Sequence, residues 1–281
     1  MPRNPKHIQG FAGGLRQKLG QILSVSANPQ IHAGSGKPYL IERGGRLSLQ
    51  FDALCLQSEM NIEDPEQLVF SYTRAMMSFL LLEPSPKSIA MIGLGGGSLA
   101  KYCYRYLPQT EITVVEINPD VIALRNEFAI PEDDDRFKVL LGDGAEFVKE
   151  RSERYDVLMV DGFDVAGLPE VLCSQPFYDD CFASLADTGI LVANLWGSTG
   201  KYPAFISRIE TSFAGRIVVV SSDDSTNKIV LAVKNSTTPL TPGTVRKHVN
   251  TLSQIHPLNF HAKSRKLIEA INVGVMNQRG Y

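Results

Sequence analysis

The chain has 281 residues, 43% hydrophobic and 21% charged, with 28 basic and 30 acidic side chains and a formal net charge of −2. That length holds one large domain, or one with a small appendage, and near-neutrality leaves no broad basic field to attract nucleic acid or an anionic membrane. Its apolar runs are too short to span a bilayer and its start lacks the apolar core of a secretory signal, so a cytoplasmic protein with no membrane partner is expected.

Residues 1–36 carry Arg3, Lys6, Arg16 and Lys18 and no acidic side chain, which predicts a loosely ordered basic arm. A small antiparallel β-domain is expected over 37–62, where Tyr39-Leu-Ile-Glu, Leu47-Ser-Leu-Gln-Phe and Ala53-Leu-Cys-Leu alternate around Gly44-Gly45. Next, Asn61-Ile-Glu-Asp-Pro65 opens a predicted helix. Leu68, Tyr72, Met76 and Phe79-Leu80 fall at helical spacing, and Pro84 and Pro86 end it. From Ser88 to Asn194 strand and helix patterns alternate, the signature of a mainly parallel twisted sheet that binds ligands at its carboxyl edge. Residues 216–221 and 228–233 read as a hairpin joined by the polar stretch Ser222–Asn227. A Pro/Thr-rich linker at 235–242 precedes helices expected at Val245–Leu252 and Ser264–Val273. The expected division is therefore 37–62, an α/β Rossmann-like nucleoside-binding domain over 63–235, and a C-terminal linker with helices over 236–281.

The chemistry concentrates at four predicted strand ends. The first strand runs into Gly93-Leu94-Gly95-Gly96-Gly97, where the absence of Cβ atoms permits a tight turn and close approach of backbone to ligand. The second ends in Glu116, about twenty residues on, where a carboxylate can accept from both hydroxyls of a ribose. The third ends in Asp143-Gly144, placed to meet an exocyclic amine such as that of adenine, and the fourth, Tyr155–Val160, delivers Asp161 and Asp164. The glycine pattern lacks G-x-G-x-x-G spacing and no Walker-type Lys follows it, which disfavours NAD and ATP. Cys55, Cys103, Cys173 and Cys181 include no C-x-x-C pair, so neither a zinc site nor a disulfide framework is suggested. The five histidines lie outside these strand ends, which leaves a carboxylate as the candidate base.

The order G-x-G-G-G, V-E-I-N, G-D-G-A, Y-D-V-x-x-x-D-x-x-D, then Gln175-Pro-Phe-Tyr178, resembles the spermidine synthase (polyamine aminopropyltransferase) family over roughly residues 38–235. The resemblance implies the S-adenosylmethionine-transferase fold, a homodimer, an amine acceptor, and decarboxylated S-adenosylmethionine as donor with no metal. It makes Gln57, Gly93, Gly95, Gly96, Gly97, Glu116, Asp143 and Gly144 the donor-binding residues. Asp161 becomes the base for the incoming amine, with Asp164, Tyr72 and Tyr178 lining the acceptor slot, since acids and aromatic faces both favour cations. The chain departs from the family pattern on the acceptor side. Ser98 follows the glycines where the family carries Asp, Tyr72-Thr73-Arg74 brings a cation into the acceptor segment, and Asn194 replaces a Gln. Ser98 leaves open a second reading, methyl transfer from S-adenosylmethionine itself, because the Asp that would repel that donor's carboxylate is gone. A third reading is a catalytically silent nucleoside-binding protein.

Overall fold

A computed structural model of the chain describes residues 37–52, 55–150, 154–163, 167–197, 200–235 and 240–278. The basic arm expected at 1–36 lies outside the described residues, as does Asp164.

Three strands, β1 (Tyr39–Arg43), β2 (Arg46–Asp52) and β3 (Cys55–Asn61), form a small antiparallel sheet. Gly44 and Gly45 turn β1 into β2 with φ of +59° and +75°, the left-handed pair that a two-residue hairpin turn requires. Alternation along β2 and β3 buries Leu47, Leu49 and Met60 against the larger body.

Past β3 the chain diverges from the sequence reading, because Asn61 closes a local turn instead of starting a helix. Its side chain accepts from Glu63 N at 3.1 Å and donates to Gln67 Oε1 at 3.0 Å. The helix α1 (Ser71–Met76) begins ten residues later than expected and tightens into a 3-10 turn at Met77–Leu81.

A seven-stranded sheet follows, built from β4 (Ser88–Ile92), β5 (Glu111–Glu116), β6 (Phe137–Leu141), β7 (Tyr155–Val160), β8 (Leu185–Trp196), β9 (Ile217–Ser221) and β10 (Asn227–Val233), in the order β6-β5-β4-β7-β8-β10-β9. β4 to β8 are mutually parallel, and β10 and β9 add antiparallel. The connections carry α2 (Ser98–Tyr106), α3 (Pro119–Ala123), α4 (Gly144–Glu150), α5 (Gln175–Ser184) and α6 (Tyr202–Ser212). The chain closes with α7 (Pro242–Lys247), α8 (Val249–Ile255) and α9 (Phe260–Gln278). The first two replace the single helix expected over 245–252. α9 starts four residues before the expected one, because Asn259 caps it by accepting from Ala262 N at 2.9 Å.

Alternate residues of the sheet feed two cores, giving helices on both faces of a parallel sheet. On one face Ile89, Met91, Val157 and Met159 pack with Tyr102 of α2, the small sheet, and Leu252, Phe260 and Leu267 of the C-terminal helices. On the other, Ala90, Ile92, Leu158 and Val160 pack with Phe147, Phe177, Cys181 and Phe213. The C-terminal helices thus share one continuous core with the sheet and the N-terminal strands.

Register levels the functional edge. Ile92 pairs with Val115 on one side and with Val160 on the other, and Val160 pairs with Ala193. The next rung therefore brings Gly93, Glu116, Asp161 and Asn194 side by side. The strand order reverses direction between β4 and β7, so this rung sits at the crevice where open α/β sheets bind ligands.

Candidate active site

A cavity of about 510 Å³ opens over that rung. Its floor is the glycine turn. Gly93 has φ +96°, and a Cβ there would stand 2.4 Å from the carbonyl oxygen of Asp161, so only glycine lets β4 and β7 end in contact. Gly95, at φ +51°, and Gly144 also line the cavity. Gly96 and Gly97, expected to cradle a ligand, do not line it. Their missing side chains make room for packing instead: a Cβ on Gly96 would meet Phe128 at 2.8 Å, and one on Gly97 would meet Ile130 at 2.5 Å.

Glu116 is 8% exposed and held by two backbone donors, Leu94 N to Oε2 and Asn118 N to Oε1, each at 2.8 Å. Each oxygen keeps a second lone pair, so a vicinal diol fits this carboxylate without displacing a protein bond. Asp143 projects at the exposed rim, two residues past the last rung of β6, where Oδ1 accepts from Ala145 N at 2.7 Å and starts α4. Gln57 and Ser58 of β3 bring the small sheet to the wall, and the apolar side chains of Leu56, Ile117, Val171 and Trp196 stand exposed around the opening. Such a rim offers flat contacts to a purine base.

Asp161 sits beside Gly93, on the side of the glycine turn opposite Glu116. Asn194 Nδ2 donates to its Oδ1 at 2.8 Å, and the Tyr72 hydroxyl bonds the same carboxylate. Burial pushes the Asp161 carboxyl up to about 6, against the pull of these two donors, and burial together with the neighbouring carboxylate holds the Tyr72 phenol far above its ordinary range. The pair is thus a carboxylate close to physiological pH and a permanent hydrogen-bond donor.

Two expectations on the acceptor side change. Tyr178 is fully buried and does not line the cavity. Ser174 caps α5 by accepting from Phe177 N at 3.2 Å, with Pro176 in the first turn, and this phase turns Phe177, Tyr178 and Cys181 onto the sheet's far core. Arg74, the cation that would repel a diamine, points away from the cavity: it donates to the carbonyls of Leu68, at 2.9 Å, and Val69, and approaches Asp224 at 3.9 Å. Tyr72 and Thr73 face inward. Sequence reasoning assigned no site role to Asn194 or to Asn227, which bonds it at 2.9 Å. The available signal was a polar amide at the end of one apolar strand and at the start of another.

Among the described residues no group of three His, Cys, Asp or Glu is disposed to hold a metal ion, and no helix is long and apolar enough to cross a membrane. Among the described lining residues the charged side chains are Glu116, Asp143 and Asp161, and none is cationic.

The spermine/spermidine synthase domain model matches residues 69–212. A polyamine aminopropyltransferase of Neisseria meningitidis serogroup A is 39% identical over 233 residues, covering 82% of this chain and 89% of that protein. Its counterpart in Chromobacterium violaceum is 36% identical over 238 residues, 84% and 88% of the two chains. Among solved structures, a spermidine synthase in complex with the transition-state analogue AdoDATO superposes with a TM-score of 0.63 at 19% identity, covering 82% of this chain and 85% of the other, and so shares the fold. With the motif-bearing strand ends gathered around one cavity, this chain belongs to the polyamine aminopropyltransferase (spermidine synthase) family.

Proposed function

We propose that the protein transfers an aminopropyl group from decarboxylated S-adenosylmethionine to an amine acceptor, a polyamine such as putrescine. The observation that carries this reading is the charge of the cavity: three carboxylates and no cationic side chain among its described lining residues. An acidic enclosure favours a donor bearing a sulfonium and an ammonium, and an amine acceptor. Its described lining residues offer no cationic side chain to the α-carboxylate of S-adenosylmethionine, which counts against methyl transfer. A silent binding protein would not need a carboxylate held near 6 beside a fixed donor.

The donor supplies a carbon already activated by a sulfonium leaving group. Glu116 takes the ribose hydroxyls, Asp143 the adenine amine, and Gly93, Gly95 and Gly144 keep the floor open, with Gln57 at the wall. Asp161, ionised above pH 6, binds the acceptor's ammonium and accepts its proton, while Tyr72 and Asn194 hold the carboxylate in place. The freed nitrogen lone pair forms the new C–N bond as the C–S bond breaks and its electron pair stays on sulfur. One proton leaves through Asp161 to solvent. The balance is complete without a metal.

The test is product analysis with decarboxylated donor and putrescine. Spermidine and methylthioadenosine are the expected products; methylation of an acceptor by S-adenosylmethionine, with no aminopropyl product, overturns the reading. On the family's precedent we further assign a cytoplasmic homodimer, checked by light scattering at twice the mass of one chain.

A further inference from the structure

We propose that Asn227 is a positioning residue that fixes the polarity of the Asn194 amide and thereby keeps a hydrogen-bond donor on Asp161. The inference rests on the reading of Asp161 as the base.

An amide side chain has an oxygen that only accepts and a nitrogen that only donates, and a half-turn about its last bond exchanges them. Nothing in Asn194 alone decides which end faces Asp161. It is buried, 2% exposed, so a wrong choice would set two oxygens face to face with no water to relieve them. An ionised Asp161 accepts only, and the other side of the amide holds the same polarity even when the carboxyl is protonated. Asn227 Nδ2 donates to Asn194 Oδ1 at 2.9 Å, which commits the Asn194 nitrogen to Asp161. Asn227 Oδ1 in turn accepts from Ser225 Oγ at 2.6 Å, which continues the same direction of donation. A directional chain therefore runs from Ser225 through Asn227 and Asn194 to the carboxylate. Antiparallel register supports it: Asn194 lies opposite Ile229, which makes Asn227 its diagonal neighbour on the same face.

The turn that carries the chain is clamped. Asp224 accepts from Ser71 Oγ and faces Arg74, and Asp223 pairs with Lys266 of α9. Ser71 and Arg74 flank Tyr72, so the β9–β10 turn borders both donors to Asp161. Of the groups on the elements around Asp161, Tyr72 from α1 is the titratable one that bonds it, Arg74 turns away, and β8 and β10 contribute the neutral Asn194 and Asn227.

The experiment replaces Asn227 by Leu, which removes both ends of the amide at similar volume, and by Asp, which keeps the shape but cannot donate. Both variants are expected to lose about tenfold in kcat, the loss of one charge-assisted bond. Their acid limb in kcat is expected to move about one pH unit to higher pH, with the donor KM and the thermal shift given by methylthioadenosine unchanged. Asn227→Asp separates polarity from folding, since it occupies the same space. Wild-type kcat and acid limb in both variants overturn the inference, as does a parallel loss of methylthioadenosine stabilisation, which would mark a merely structural residue. A carbon-13 titration of the Asp161 carboxyl, assigned through Asp161→Asn, reads the same shift without turnover. It keeps the inference testable should the wild-type protein make no aminopropyl product, in which case the functional reading fails and this one does not.

Discussion

Asp161 occupies an unusual position for an acid: it is desolvated, yet its protein neighbours are neutral donors instead of a cation. Deprotonation of such a group is needed for catalysis and opposed by burial, so kcat should rise with pH through about 6 and level off above it, read from initial rates at saturating substrates. Stability should run the other way. The folded state binds a proton up to about 6, whereas the unfolded chain releases it near the ordinary 3.8, so the folded form is most favoured below 3.8 and loses that advantage as pH climbs to 6. Asp161→Asn should remove this slope in urea melts and lower kcat by roughly 10²- to 10⁴-fold while leaving methylthioadenosine binding intact. Unchanged turnover would remove the residue from the mechanism. The acid itself was legible in the sequence, because it ends an apolar strand in the right order. Its two donors were only half legible. Tyr72 was named from resemblance, whereas Asn194 and Asn227 come together through an antiparallel pairing that no local pattern in either strand encodes.

At the scale of elements, the glycine turn and the end of β7 are fitted to each other. Gly93→Ala would place a methyl group within 2.4 Å of the Asp161 carbonyl, at a φ of +96° that alanine tolerates poorly. The backbone conformation alone costs about 1–3 kcal/mol, and the collision adds to it. The expected outcome is a lower melting temperature together with loss of donor binding; a variant that melts and binds like the wild type would refute the fit. Gly96 and Gly97 look equivalent to Gly93 in the sequence, since periodicity cannot distinguish a glycine that admits a ligand from one that admits Phe128 or Ile130. Tyr178 misled for a related reason. Its place in the motif Gln175-Pro-Phe-Tyr178 and the affinity of aromatic faces for cations put it in the slot, but the Ser174 cap sets the phase of α5 and turns the ring inward. The helix expected from Asn61 failed because an Asx turn competes with helix initiation for the same backbone donors.

For the whole molecule, the parallel strands were readable because each is a short apolar run with chemistry at its carboxyl end. Their spatial order follows from register, which the sequence does not print. The sharing of one core by both ends of the chain was not readable either. Phe260 of α9 is fully buried in the cluster that includes Leu47, Leu49 and Met60 of the first sheet. Phe260→Ala should cost about 3–5 kcal/mol, seen as a lower urea midpoint in a single cooperative transition. A separate early transition would instead make the C-terminal helices an independent unit. Donor choice is also a property of the whole cavity: at a hundred times its dissociation constant, the decarboxylated donor should stabilise the fold by about 2.7 kcal/mol, with S-adenosylmethionine giving far less. A larger thermal shift with the carboxylate-bearing donor would reverse the assignment.

The last helix reaches back to the acceptor wall. Lys263 donates to the carbonyl of Arg74 at 2.5 Å, and Lys266 holds Asp223 of the β9–β10 turn. Synthesis runs from the amino end, so a nascent chain completes the strands that grip a nucleoside well before it acquires the brace for the incoming amine. The half of the cavity that selects a nucleophile is therefore the last to be assembled, and it is completed by the same helix that closes the shared core.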